Sequence, residues 1–290
     1  MSDSIRLGTA GWVFAPWRGS FFPDGLKQKD ELAYASAHLG SIEINATFRQ
    51  NQSPASFAKW AGQTPEGFVF SVKGPQLVTH LKRLKDVEIP LANFFASGVL
   101  ALGSRLGPFC WQLPPNVTYD ADRMEQFLAL LPHTPQALVE LAGNADDRLK
   151  TPPYLDSGSV GAIRHAIEVR HESFADAAFI AQLRRHNVAV VTSDTAEWPW
   201  FDQTADFAYL RLQGAPGAER YTDKERDQRA DWLADLAGGR SPDAPHLVPP
   251  ETAPVARDVF AYFVSTDKEH APHNARAVMQ RLGIIGAGGQ

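Results

Sequence analysis

Cysteine is almost absent: Cys110 stands alone, which excludes an internal disulfide and any metal site built from several thiolates. Its setting in the apolar run PFCW points to a small buried thiol rather than a nucleophile. Positive excess is absent too. A formal net charge of -5 argues against extended nucleic-acid binding, which needs a basic face, but leaves room for a local basic pocket. No uninterrupted hydrophobic run reaches membrane length. The apolar stretch 89–115 is broken by Asn93, Ser104, Arg105 and several Gly and Pro, so no membrane span is expected. The opening MSDSIRLGTAGW lacks a basic segment followed by an apolar one, so a soluble cytoplasmic protein is the expectation. P-loop, GxGxxG, GxSxG and HExxH signatures are missing, and HESF at 171–174 lacks a second histidine.

What is present is a rhythm. Eight short apolar runs end in Trp12, Asn45, Lys73, Gln112, Arg170, Asp194, Gln213 and Ser265, with helical segments between them. The spacing predicts strands at 5–10, 41–45, 68–73, 108–113, 164–170, 188–194, 206–212 and 257–264. Helices are expected at 29–38, from Pro54 through FAKWAG, within 90–104, from Asp120 to Pro132, at 175–186, at 223–238 and from Pro272. This order implies an α/β fold, a single (β/α)8 TIM-type barrel, for which 290 residues with 44% hydrophobic content suffice. The expected domain is 1–285, with insertions at about 133–162 and 240–256 and a flexible tail at 286–290. LVEL at 138–141 has strand character, but AIEV at 166–169 fits the eight-unit spacing better.

Alternate residues of a strand face opposite sides. Parity therefore groups Glu43 with Asn45, Ser71 with Lys73, Glu168 with Arg170, Thr192 with Asp194, and Arg211 with Gln213 on inward faces. Three acids (Glu43, Glu168, Asp194) and three bases (Lys73, Arg170, Arg211) would then meet at the mouth. Buried charges persist only when paired, so an interlocked network is expected. Such a network has two readings, a working site or a structural filling of the upper barrel layer.

Two loops suit an anion: QGAPGAERY after strand seven, with Arg211, Gly214, Gly217, Arg220 and Tyr221, and STDKEHAPHNA after strand eight, with His270 ahead of a helix start. A metal centre is less well served. His165 and Glu168 face opposite sides of a regular strand, so His165, Glu168 and His171 do not converge. A set of Glu43, Glu168, Asp194 and His270 or His273 remains open, but neighbouring lysine and arginines oppose a cation.

The chain also resembles the YecE-like family, domain of unknown function 72. The resemblance is carried by GTAGW at 8–12, PWRGSFFPDGL at 16–26, SIEINATF at 41–48, FVFSVK at 68–73, GPFCWQLPP at 107–115 and IEVRHESF at 167–174. DFAYLRLQG at 206–214, Tyr221 and HAPHNA at 270–275 complete it, in order over nearly the whole chain. It implies a TIM barrel and names no reaction. Members typically carry histidine where Gln213 stands and Asn-Asn where Val264-Ser265 stand, which implies an altered mouth here.

The leading expectation is an enzyme acting on a small phosphorylated or carboxylated substrate. Glu43, Glu168 and Lys73 are the candidate catalytic residues, with Glu43 or Glu168 as general acid/base and Lys73, Arg170 and Arg211 holding the anion. A narrower version makes Lys73 a Schiff-base nucleophile, against the simpler expectation of an ion pair with Glu43. Trp12, Trp17 and Phe48 would form an aromatic wall. Asn45 and Gln112 would orient polar groups, and His171, Asp194, Gln213, Tyr221, His270 and Asn274 complete the binding set. The cofactor is open, with a divalent metal not favoured. Two alternatives stand beside this reading: a metal-dependent phosphoesterase or nuclease-like hydrolase, and a non-catalytic module binding a nucleotide, sugar phosphate or nucleic-acid end.

Overall fold

The computed structural model describes residues 4–195, 198–214, 221–250, 255–264 and 268–284. In chain order its elements are β1 (Ile5–Ala10), α1 (Glu31–His38), β2 (Ser41–Ile44), α2 (Ala46–Arg49), α3 (Pro54–Gly62), β3 (Val69–Lys73), α4 (Glu88–Ala96) and β4 (Leu106–Gln112). There follow α5 (Ala121–Leu130), α6 (Pro135–Ala142), β5 (His165–Glu168), α7 (Ala177–Arg185), β6 (Ala189–Ser193), β7 (Phe207–Leu212), α8 (Asp223–Ala237), β8 (Asp258–Phe263) and α9 (Ala271–Arg281). Every strand pairs in parallel with the next, and β8 returns to β1. The fold is a single closed (β/α)8 barrel.

Local chemistry starts the helices. The Ser53 hydroxyl accepts the Ser56 N–H at 3.2 Å, with Pro54 in the first turn of α3, where its missing N–H costs nothing. Asp120 accepts the Arg123 N–H at 3.0 Å at the start of α5. Thr222 and Glu225 form a reciprocal capping box on α8. The helix expected within 90–104 is divided: α4 ends at Ala96 and a 3₁₀ segment spans Val99–Arg105. Gly98, at φ 124°, makes the break, a conformation that a side chain would forbid. LVEL at 138–141 lies in α6, capped by Thr134 and packed on α4 rather than in the sheet. In the segment expected as a second insertion, Leu247 and Val248 donate their N–H groups to the Asp202 carboxylate at 2.8 and 3.0 Å. The tail 286–290 and Ser265 lie outside the described residues.

Inward-facing side chains fill the barrel in layers. Phe207, Phe260, Cys110, Ala166, Ala189, Val191, Tyr209 and Tyr262 form a buried inner cluster. Burial pushes the Cys110 thiol well above its ordinary range, so it stays protonated and inert. The Tyr262 hydroxyl bridges Ser41 and Ser71 at 2.8 and 2.7 Å, which changes the filling from apolar to polar on the way to the mouth. Outside the strands, a continuous apolar core including Trp111, Phe94, Phe95 and Phe109 joins sheet to helices. Among the described residues, no helix is long and apolar enough to cross a membrane.

In the β1–β2 pairing, Gly8 stands opposite Ser41. A Cβ on Gly8 would sit 1.7 Å from the Ser41 carbonyl oxygen. The Gly8→Ala variant should therefore lose about 1–3 kcal/mol or more, read as a lowered thermal midpoint. An unchanged midpoint would contradict this strand register.

Candidate active site

Five strands bring one inward residue each to the mouth: Glu43 from β2, Lys73 from β3, Gln112 from β4, Glu168 from β5 and Arg211 from β7. Arg211 spans two acids. Its Nη1 donates to Glu168 at 2.5 Å and its Nη2 to Glu43 at 3.0 Å. The Tyr209 hydroxyl, kept protonated by burial and by Glu43, donates to Glu43 at 2.6 Å. Arg170 reaches Glu168 from the other side at 2.7 Å, and the Gln112 amide donates to both Glu168 oxygens at 2.8 Å. Burial alone would raise the Glu168 pKa, but the Arg211 and Arg170 guanidiniums outweigh it and hold the carboxyl at about 2. A group that acidic is ionised at neutral pH, and it sits between the Arg211 and Arg170 guanidiniums.

Lys73 is different. It is only 8% exposed, and among the described residues no carboxylate forms an ion pair with it. The expected pair with Glu43 is thus replaced by a hydrogen bond from Nζ to the Gln112 amide oxygen at 2.8 Å, with the Phe48 ring centroid 4.5 Å away. The acids are already taken by Arg211 and Arg170. Burial, and after it the Arg211 charge, lower the Lys73 pKa below 10.5.

Lys73 opens onto a cavity of about 400 Å³ that Asn45, Phe48, Arg49, Arg211 and Lys268 also line. Four cations face it, and no carboxylate among the described residues does. Two polar atoms on its lining residues are buried without partners, Nε of Arg211 and Oδ1 of Asn45. Beside it lies a second cavity, about 590 Å³, between the loop after β1 and helices α1 and α3, with Trp12 and Trp60 in its wall. A third, about 170 Å³, holds Arg170, Ser193, Trp198 and Gln213.

Other expected residues do different work. Trp17 lines the cation-lined cavity with Phe48, although almost wholly buried, and donates its indole N–H to the Lys268 carbonyl at 2.5 Å, which ties the loop after β1 to the loop after β8. Of the expected wall of Trp12, Trp17 and Phe48, the last two line the cation-lined cavity and Trp12 lines the adjoining one. Asp194 faces outward: Val191 and Ser193 are the inward residues of β6. Its carboxylate accepts from Tyr221 at 2.7 Å, from Arg229 of α8 at 2.9 Å and from the Gln213 N–H at 2.7 Å. Asp194 and Tyr221 thus clamp the end of β7. His171 accepts the Ser173 N–H at 3.1 Å and starts a 3₁₀ turn. Asn274, buried on α9, accepts from Arg226 of α8 at 3.3 Å. His270 precedes α9, 6.5 Å from the His273 ring. Arg220 and Gly217 of the expected anion loop lie outside the described residues.

His165 points away from the mouth, between the Trp111 indole and the Pro132 carbonyl, and burial lowers its pKa to about 3. Among the described residues, no three His, Cys, Asp or Glu side chains gather as metal ligands. Sequence reasoning missed Arg49, Lys268, Tyr209 and Trp60. Arg49 follows Asn45 by four residues on α2 and shares its face, and Tyr209 shares strand parity with Arg211, so both carried a readable signal. Lys268 and Trp60 carried none.

Because the folded-state pKa of Glu168 is depressed from 4.5 to about 2, its stabilisation is complete above pH 4.5 and fades as pH falls toward 2. The Glu168→Gln variant should be about 3 kcal/mol less stable at pH 7, with the gap closing across that window in denaturant titrations. A gap that stays constant down to pH 2 would contradict the pairing.

The profile of the family described as "Protein of unknown function DUF72" matches residues 6–288. Among solved structures, the chain is similar to a DUF72 family protein (TM1631) from Thermotoga maritima MSB8, with 23% identity, 96% of this chain and 99% of that chain covered, and a TM-score of 0.70. It is also similar to a DUF72 family protein (EF0366) from Enterococcus faecalis V583, at 16% identity over 96% of this chain and 97% of that one, with a TM-score of 0.62. At these identities the likeness shows the fold. No curated protein matches. With nearly its whole length matched and the same barrel recovered, the chain belongs to the DUF72 family.

Proposed function

We propose that this chain is an enzyme that holds a small anionic substrate, phosphorylated or carboxylated, in the cation-lined cavity and moves a proton through Lys73. The observation that carries the reading is the unequal use of the cations. Glu43 and Glu168 occupy Arg211 and Arg170, whereas Lys73 is buried beside open space against the Gln112 amide oxygen and the Phe48 ring, with no carboxylate paired to it among the described residues. An anion in the cavity supplies the missing counter-charge, and it offers an acceptor to the Arg211 Nε–H that has none. Arg49 and Lys268 at the exposed rim add to the attraction.

Burial lowers the Lys73 pKa, and a lysine that holds its proton less firmly than an exposed one is better suited to acid/base work. Glu43 and Glu168 then serve as the fixed negative floor that orients Arg211, with Asn45 and Gln112 orienting polar groups. Arg170 and Gln213 face the third cavity and act on a different part of the ligand or none. The hydrolase alternative finds no ligand set among the described residues, and the two arginines bound to the acids oppose a divalent cation there.

Calorimetric titration with inorganic phosphate tests the anion site. Lys73→Met should weaken binding about tenfold or more, equivalent to about 1.4 kcal/mol. Binding to the unaltered protein should also weaken as pH rises through the Lys73 pKa, since only the protonated amine attracts the anion. Equal affinity in both proteins would remove Lys73 from the site. A turnover screen over sugar phosphates, nucleotides and organic acids separates enzyme from binding module: a ligand that binds through Lys73 and is never converted supports the latter.

A further inference from the structure

We infer that the ligand of this site is a nucleotide, with its phosphate at Lys73 and its base in the adjoining cavity, stacked against the Trp12–Trp60 pair. The inference rests on the anion site proposed above and adds the identity of the rest of the molecule. It begins with continuity: the cation-lined cavity and the larger one beside it share Gly11, Phe14 and Asn45 in their walls. A phosphate fills only a small part of that joint space, and pockets of several hundred Å³ take ligands with a substantial organic part.

The second cavity is built for a flat ring. Trp12 and Trp60 stand 5.4 Å apart, centroid to centroid, at an interplanar angle of 80°. Their neighbours Phe57 and Phe70 are fully buried, whereas both tryptophans are only partly buried and line the cavity. A near-perpendicular pair leaves one indole face for stacking and one edge to abut the ring. Lys29, Lys59 and Gln63 rim the same cavity, supplying hydrogen-bond donors for a heterocycle's edge nitrogens and oxygens.

Asn45 connects the two halves. It lines both cavities, and its Oδ1 is buried with no donor. A buried acceptor left unmet costs stability, and a fully ionised phosphate or carboxylate cannot meet it, because it offers only acceptors. A ligand carrying a hydroxyl between its anion and its ring can, and a ribose is placed for that. Stacking, a hydroxyl at the junction and a phosphate among cations are together the chemistry of a nucleoside monophosphate.

The test is calorimetric titration of the full chain with inorganic phosphate, ribose 5-phosphate and the four ribonucleoside 5′-monophosphates. At least one nucleotide should bind more tightly than phosphate and ribose 5-phosphate. Trp60→Ala should weaken that nucleotide about tenfold or more while changing phosphate affinity less than about twofold. Trp60→Leu keeps apolar bulk against Phe57 and should behave the same way, which covers a failure of the alanine variant to fold. Nucleotides no tighter than phosphate, or a nucleotide indifferent to Trp60, would overturn the inference and leave the anion site standing. Ribose 5-phosphate matching the best nucleotide with equal Trp60 dependence would make the slot a sugar site and overturn the base assignment. Loss of phosphate binding altogether, or its indifference to Lys73→Met, would instead strike the anion site itself.

Discussion

The double grip on Arg211 is the constraint on which the mouth of this barrel depends. Glu43 and Glu168 are both buried, and neither carboxylate is stable there without a cation in contact. One guanidinium from β7 serves both, reaching across to β2 and β5. Arg170 adds a second positive charge on Glu168, so two acids and two arginines balance. Lys73 is the surplus charge. It enters a neutral, hydrogen-bonded assembly in which every nearby carboxylate is already engaged.

That surplus shapes everything above it. The lysine cannot relax its burial by pairing, so its proton is held less firmly than in water. The cavity it faces gathers Arg49 and Lys268 from a short helix and a loop, and Trp17 fixes that loop by bonding the Lys268 carbonyl. Barrels of this kind work at the C-terminal ends of their strands, where side chains from several strands converge while the lower layers hold the shape. Here the lower layers are aromatic and serine-bridged, and the Arg211 network sits above them at the mouth. The architecture hosts many chemistries, so the reading of function rests on these residues and not on the fold.

The barrel was legible because its signals are local and repeated: short apolar runs, caps at Ser53, Asp120 and Thr222, and prolines at helix starts. The inward set was legible where one face of a strand is apolar and the other polar, as in SIEIN and FAYLRLQ. It failed at β6, where VAVVTS is apolar on both faces and parity alone cannot choose a side. Asp194 was thereby placed inside, though it faces the helices and holds Arg229 and Tyr221. Partner choice was also beyond the sequence. Charge counting paired Lys73 with Glu43, whereas the planar reach of Arg211 takes both acids at once. Trp12 and Trp17 are five residues apart in one aromatic loop, yet they line two different cavities, a division set by tertiary packing. Lys268 and Trp60 sit in segments whose pattern gives no hint of the mouth.

The central claim is that Lys73 is a buried cation without an acidic partner, and nitrogen NMR of its side-chain amine measures that directly. The account predicts a titration midpoint below 10.5 that moves upward when inorganic phosphate is added. A midpoint at or above 10.5, unmoved by phosphate, would mean that a carboxylate already neutralises the lysine and would contradict the account.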